Sequence, residues 1–318
     1  MTPSTPQVVS RAEIERVLPS IDVVAAMEQA FVAYSEGRAV VPPVGELLFT
    51  DPPGDAHIKY GYLSGDEVFV IKVATGFYEN PAKGLPPNSG LMLVFDAGNG
   101  LLRAVLLDEG HLTNVRTAAA GAVAAKHLMP KSVEAIGVLG TGLQARMQVE
   151  MLQSVAPQRE VLVWGRRPTA AEACAKDLSD SGFRARAVET AAEVAARANL
   201  IVTATASQEP LLVADDIRPG THITAMGSDT EAKQELDAAL LTRAERVVGD
   251  SLAQCRERGE IHQALKAGAL DLSGVVELGA VIAGQADGRR SESDITIADL
   301  TGVAVQDIAI SKAVLAGL

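Results

Sequence analysis

Aromatic side chains are scarce in this protein, at 3% of 318 residues, with a single tryptophan. A core with so few rings must be filled by alanine, valine, leucine and isoleucine, a mix that suits helices packed on a parallel sheet. Cysteine is also scarce. Cys174 and Cys255 are too few and too dispersed for a disulfide framework or a zinc site, so no metal is expected. Cys174 lies in an alanine-rich helical stretch and reads as a small hydrophobe. An excess of cationic charge is missing too. The formal net charge of −12 repels phosphate backbones and argues against nucleic-acid binding, with solubility as the plain role of the acidity. It does not bear on a small substrate, because a local basic pocket can sit on an acidic protein. No uncharged run approaches the roughly 20 residues that span a bilayer, so no membrane partner is expected. The opening MTPSTPQVVS has neither the basic nor the apolar segment of a secretory signal, and the protein reads as cytoplasmic.

What is present is a length sufficient for two domains. Apolar residues at 47% and charged residues at 21% place the chain among globular proteins and exclude disorder or a collagen-like fibre. Ser10 can cap a helix over residues 11–18, and apolar residues at helical spacing run over 21–36 before Gly37. From 40 to about 107 the texture changes. Turn chemistry at Pro42-Pro43, Pro52-Pro53-Gly54, Ser64-Gly65-Asp66, Pro86-Pro87 and residues 96–100 separates extended runs at 68–73, 91–95 and 101–107, which predicts an antiparallel sheet. A helix follows Thr113-Asn114 and ends before Pro130.

From there strands alternate with helices. Strands at 135–139, 161–164, 186–188, 200–203, 223–226 and 247–248 imply a parallel sheet with right-handed crossovers. The tail holds a loop at 288–293, a strand at 295–297 and a last helix from about 303, and it is expected to rejoin the first domain. The fold class is therefore α/β: a Rossmann-type doubly wound parallel sheet over 116–292, plus a second α+β domain with an antiparallel sheet formed by 1–115 and 293–318.

The sharpest motif is Gly137-Val-Leu-Gly140-Thr-Gly142-Leu143-Gln144-Ala145-Arg146. Gly140, Gly142 and Ala145 occupy the three small positions of G-x-G-x-x-G/A. These serve a tight turn, close approach of a pyrophosphate and close packing of helix on strand, with the anion at the helix N-terminus. The pattern alone is weak, but here it follows an apolar strand and opens a helix, the context that makes it specific for a dinucleotide. The next strand ends in Trp164-Gly165-Arg166-Arg167, without the acidic residue that accepts bonds from an NAD ribose. Two guanidiniums there suit a 2′-phosphate or stacking on adenine, so NADP(H) is favoured and NAD(H) stays open. The plain alternative is a solvated turn.

Several further runs carry a resemblance. They are Ile71-Lys72 with Asn80-Pro81 and Gly84-Leu85, Leu112-Thr113-Asn114-Val115-Arg116-Thr117-Ala118-Ala119, the glycine loop, and Thr203-Ala-Thr205-Ala206. To these add Met226-Gly227-Ser228-Asp229 followed by Lys233-Gln234-Glu235-Leu236, and Asp299-Leu-Thr301-Gly302-Val-Ala304. Together, in this order, they resemble the ornithine cyclodeaminase/mu-crystallin family over nearly the whole chain. The ectoine-utilization branch is the most similar, and the stretch 226–236 also resembles iminosuccinate reductases. The resemblance implies a homodimer whose first domain supplies dimerisation and most substrate contacts. It also implies hydride exchange between a nicotinamide and the α-carbon of an amino acid or imine.

Individual residues take roles on that basis. Spacing leaves Lys72 either on the solvent face of its strand or as a buried functional cation, and by itself favours the surface. The resemblance makes it a catalytic residue that binds the substrate carboxylate and helps orient the reacting carbon. Arg116 lies near a helix N-terminus, where a cation gains nothing from the dipole, which favours bidentate capture of a carboxylate, and Thr117 completes that turn. Asp229, at the carboxyl end of a strand, is by residue type a cap or turn residue. By resemblance it is the catalytic acid/base, its pKa raised by burial against the nicotinamide. Thr203 and Thr205, with Met226, Gly227 and Ser228, are expected around the nicotinamide, and Gly302 is expected to approach it from the other domain. Strand-end packing is the alternative for these. One departure stands out: many family members carry an arginine after the proline-rich turn, where this chain reads Pro42-Pro43-Val44-Gly45-Glu46. That puts ornithine in doubt; His57 and Lys59 offer polar groups nearby in sequence, with a structural role as the plain alternative for the histidine. The first reading is an NAD(P)H-dependent imine or ketimine reductase acting on a small carboxylated imine or amino acid. The alternatives are a cyclodeaminase with bound NAD and a non-catalytic binder of NADPH and small ligands of the mu-crystallin kind.

Overall fold

The computed structural model describes residues 5–77 and 79–318. The chain forms two compact units, one holding residues up to Arg116 together with Val303–Leu318, the other Thr117–Gly302. Among the described residues no single helix is long and apolar enough to cross a membrane.

The first unit is built on strands β1 (Gln7–Ser10), β2 (Ala39–Val40), β3 (Gly45–Thr50), β4 (Pro53–Leu63), β5 (Val68–Phe77), β6 (Asn88–Asp96) and β7 (Leu102–Leu107). Their order is β1-β7-β6-β5-β4-β2, with β3 paired to β4. Only β1, beside β7, runs parallel to its neighbour. Ser10 opens helix α1 (Arg11–Val17) through a capping box with Glu13, and Asp22 caps helix α2 (Val23–Ser35). The C-terminal helix, Ala304–Gly317, packs on β4, β5 and β6 and against α2.

Register explains which sheet face is covered. Val68, Val70, Met92, Val94, Ala104 and Leu106 share one face and are all buried. Lys72 is in phase with Val68 and Val70, and it is buried with them. Of the two positions open from spacing, the preferred surface one does not hold: strand parity puts the lysine on the core side. The opposite face leaves Val8, Leu47, Tyr60, Tyr62 and Leu107 substantially exposed.

The second unit contains β8 (Ile136–Leu139), β9 (Glu160–Trp164), β10 (Arg184–Ala187), β11 (Leu200–Thr203), β12 (Gln208–Leu212), β13 (His222–Ala225), β14 (Gln234–Leu236), β15 (Arg246–Gly249), β16 (Val275–Glu277) and β17 (Thr296–Asp299). Eight of these form a parallel sheet in the order β10-β9-β8-β11-β13-β17-β15-β16, while β12 and β14 pair separately. The first five positions have the strand order of a doubly wound sheet, reversing between β8 and β11.

The strand at 295–297, assigned to the first domain with a boundary at 293, is β17, hydrogen-bonded between β13 and β15. All four of its residues are buried, as befits a central parallel strand, so the chain rejoins the first unit only at Val303. Gly302 accordingly belongs to the dinucleotide-type unit and not to the other. The helix expected after Thr113-Asn114 starts earlier, as α3 (His111–Leu128), and Arg116 lies inside it.

Candidate active site

The glycine loop turns from β8 into α4 (Leu143–Met151). Gly140 has φ 128°, and a Cβ there would lie 2.5 Å from the Ala204 carbonyl oxygen, so both conformation and space demand glycine. Gly142 differs. It caps α4 with ordinary φ, and a Cβ added to it would meet nothing within 4 Å. The open space lies over a helix N-terminus, where backbone N–H groups favour an anion. Ala145 is fully buried, bringing α4 close to the sheet. Arg146 braces the loop by donating to the Thr141 and Gly142 carbonyls while pairing with Asp177. Leu143 is exposed and Gln144 half-buried.

The loop forms one wall of a cavity of about 540 Å³ at the carboxyl ends of β8, β9 and β11. Its lining comes from the glycine turn, from Gly165, Arg166 and Arg167, and from Ala204, Thr205 and Ala206. This is the switch point, where open parallel sheets bind ligands. Arg166 and Arg167 are exposed, at the position expected for the adenosine end of a dinucleotide. The open approach at Gly142, the helix N-terminus and the switch-point cavity all fit a dinucleotide.

Beneath the cavity lies a buried carboxylate that the sequence reading did not single out. Glu235 accepts from Thr203 Oγ1 at 2.6 Å, from the Thr205 N–H and Oγ1 at 2.7 Å each, and from the Gly227 N–H at 2.8 Å. One carboxylate therefore ties the end of β11 to the end of β13. Thr203 is fully buried with its hydroxyl committed to Glu235, so it supports the cavity from below, whereas Thr205 borders it. Glu260 repeats the device one layer deeper, accepting from the Ser228 hydroxyl and from the Glu235 and Leu236 N–H groups. Desolvation raises both carboxyls, Glu260 to about 7. Asp250 accepts from Thr301 Oγ1 and the Gly302 N–H, which fixes the turn after β17.

Asp229 follows this clamp. Its side chain is 53% exposed and pairs with Lys233 at 2.6 Å. The protein alone therefore does not supply the burial expected for it. Met226 and Gly227 are half-buried and Ser228 is buried beside it.

The first unit contributes a separate constellation. Lys72 on β5 and Arg116 on α3 are 2% and 5% exposed, and both reach Asp307 on the C-terminal helix. Lys72 Nζ lies 3.6 Å from Asp307 Oδ2 and Arg116 Nε 3.1 Å from Oδ1. Arg116 also donates to Gln306 Oε1 at 3.3 Å. Burial, against the pull of Asp307, brings the lysine down to about 8. Asp307 was missed because an acid in an apolar helix carries no motif. The only available signal was its lone charge between Val305 and Ile308, both fully buried.

Lys59 sits directly across from Lys72 in the β4–β5 register. His57 is held on the hairpin between Glu46 at 3.4 Å and Asp55 at 3.5 Å. Thr117 is half-buried, and its carbonyl accepts from Gln148 Nε2 at 3.0 Å.

Strand order, glycine turn and switch-point cavity define the class: a Rossmann-type α/β protein. Comparison with known proteins then gives the lineage. The model of the ornithine cyclodeaminase/mu-crystallin family matches residues 4–316, and the chain belongs to that family. An uncharacterized cyclodeaminase of Sinorhizobium fredii is 43% identical over 96% of this chain and 94% of its own. The fold is also similar to that of an archaeal alanine dehydrogenase dimer with bound NAD, with TM-score 0.89 and 35% identity over 98% of this chain and 95% of that one. Thermococcus litoralis Δ1-pyrroline-2-carboxylate reductase, solved with NADH and L-proline, gives TM-score 0.91 and 29% identity over 98% and 97%.

Proposed function

We propose that this protein is an NAD(P)H-dependent reductase of a small carboxylated imine. The observation that carries the reading is the buried pair Lys72 and Arg116, two cations brought together at Asp307. A buried ammonium beside a buried guanidinium is favourable only where anions face them, and a guanidinium favours a carboxylate. The similarity to a pyrroline-2-carboxylate reductase supports an imine as the group beside that carboxylate.

Lys72 and Arg116 hold the substrate carboxylate and fix the α-carbon, Lys72 contributing a charge close to its titration range. Asp229 delivers the proton that the imine nitrogen needs to become an amine. Thr205, Gly227 and the glycine loop hold the dinucleotide. When bound, the nicotinamide supplies hydride to the imine carbon, and positioning and proton transfer are the protein's share. Arg166 and Arg167 favour NADP(H) through its 2′-phosphate, although the similar solved structures carry NAD or NADH. The exposed apolar face bearing Val8, Leu47, Tyr60, Tyr62 and Leu107 supports a homodimer, since a patch of this kind is usually covered.

The resemblance to a cyclodeaminase supports a second reading, in which ammonia leaves with no net use of cofactor. One assay separates the two. Purified protein is given NADPH or NADH with Δ1-pyrroline-2-carboxylate, or with a 2-oxo acid and ammonium, and separately ornithine with catalytic NAD. The reductase consumes reduced cofactor and forms the amino acid one for one. Ammonia release from ornithine without cofactor consumption overturns the reductase reading.

A further inference from the structure

Asp307 has no part in the reaction as set out above, yet it sits where the two substrate-binding cations meet. It is 1% exposed, on a helix whose neighbouring residues Val305, Ile308 and Ile310 are fully buried. A carboxylate in such a place is unfavourable unless its charge is matched. Its two oxygens face different partners: Oδ2 faces Lys72 from β5, and Oδ1 faces Arg116 from α3. Beside this ion pair Gln306 Oε1 accepts from Arg116 Nη1 at 3.3 Å and from the Val303 N–H at 2.8 Å. The first turn of the C-terminal helix thus grips the arginine twice and the lysine once.

We infer that Asp307 is a positioning residue for the carboxylate-binding cations, holding Lys72 and Arg116 at fixed separation and keeping the lysine charged. This rests on the reading of Lys72 and Arg116 as carboxylate-binding. Asp307 is the carboxylate that both cations reach, so it sets their spacing for a substrate carboxylate. A hydrophobic residue in place of Asp307 would pack on the helix equally well but would leave two like charges buried side by side.

Asp307 from the C-terminal helix and Asp108 from the turn before α3 favour the charged form of Lys72, whereas burial and Arg116 oppose it. Lys59 stands across from it on β4. The balance is a lysine brought down to about 8. Asp307 is the foremost of the groups holding it up, so its removal lowers the midpoint further. A nearby opposite charge is worth one unit or more, and a one-unit fall cuts the protonated fraction at pH 8 roughly fivefold.

The test uses the full-length protein labelled with 13C-lysine, with the Lys72 resonance assigned by its loss in Lys72→Arg. In the native protein the Lys72 midpoint is expected near 8. In Asp307→Asn its midpoint falls further, KM for the carboxylated substrate rises with kcat nearly unchanged near neutral pH, and the alkaline loss of kcat/KM begins at lower pH. An unchanged Lys72 midpoint and an unchanged KM in Asp307→Asn overturn the inference. If that variant does not fold, Asp307→Glu carries the test. It keeps the charge but moves it by one methylene, so Lys72 remains a protonated amine over the native pH range while KM rises, and an unchanged KM overturns the inference. The lysine titration needs neither cofactor nor substrate, so it judges Asp307 independently of whether an imine is turned over. Turnover of an imine with an unaltered pH profile in Asp307→Asn removes this inference and leaves the reductase reading intact.

Discussion

Asp229→Asn is expected to lower kcat by roughly 10²–10⁴-fold, the usual contribution of a positioned proton donor, while leaving dinucleotide affinity close to that of the native protein. Asparagine keeps the size and the hydrogen-bonding reach of the side chain but has no proton to exchange. The fold should be indifferent to the change, because Asp229 is 53% exposed and its Lys233 partner is four residues away on the same loop. An exposed ion pair of this kind contributes about 0–1 kcal/mol. Steady-state kinetics with reduced cofactor and imine, beside a thermal melt, separate the two effects. A variant that melts normally and turns over normally would remove Asp229 from the chemistry and place proton delivery elsewhere.

Glu235→Leu is expected to have a large effect on stability. It strands the Thr203 hydroxyl, the Thr205 hydroxyl and N–H, and the Gly227 N–H, all of which donate to that carboxylate. Each buried donor left without an acceptor costs about 1–3 kcal/mol. Gly227 gives the loop little room to recover, because a Cβ there would already lie 2.1 Å from the Thr205 carbonyl oxygen. Relief of the buried charge offsets part of the loss, since desolvation raises Glu235 above the usual carboxylate range. A net cost of about 4 kcal/mol corresponds to a fall in Tm of roughly 8–16 °C for a unit of this size. Calorimetry of the native and variant proteins checks it, with Glu235→Gln as the milder companion. A Tm within about 2 °C of the native protein would show that water or a neighbouring group takes over the donors.

How far the sequence revealed this site depended on whether a residue's role is local. The Gly140-Thr-Gly142 turn declared itself, because a strand, a tight turn and a helix N-terminus are consecutive in the chain and their requirements fall on neighbouring residues. Arg166 and Arg167 were placed for the same reason, being the tip of the next strand. Lys72 was found by resemblance while spacing favoured the wrong face, since either strand face can be the buried one until the covering helix is known. Asp307, Glu235 and Glu260 were not singled out. Each is a carboxylate whose partners lie on other elements: Asp307 meets residues 72 and 116, and Glu260 meets residues 228, 235 and 236. Strand β17 was placed in the wrong unit because its insertion between β13 and β15 departs from chain order, and a short apolar run does not state its neighbours. The β12–β14 pair was missed for a simpler reason: two short strands in loops carry too little periodicity to register.

A titration of the purified protein with NADPH and with NADH, followed by nicotinamide fluorescence, tests the switch-point cavity as a dinucleotide site most directly. Both dinucleotides should bind at one site per chain, NADPH the more tightly, with Arg166→Ala reducing the NADPH preference and leaving NADH affinity nearly unchanged. Failure of both dinucleotides to bind a folded protein would contradict the account at its base.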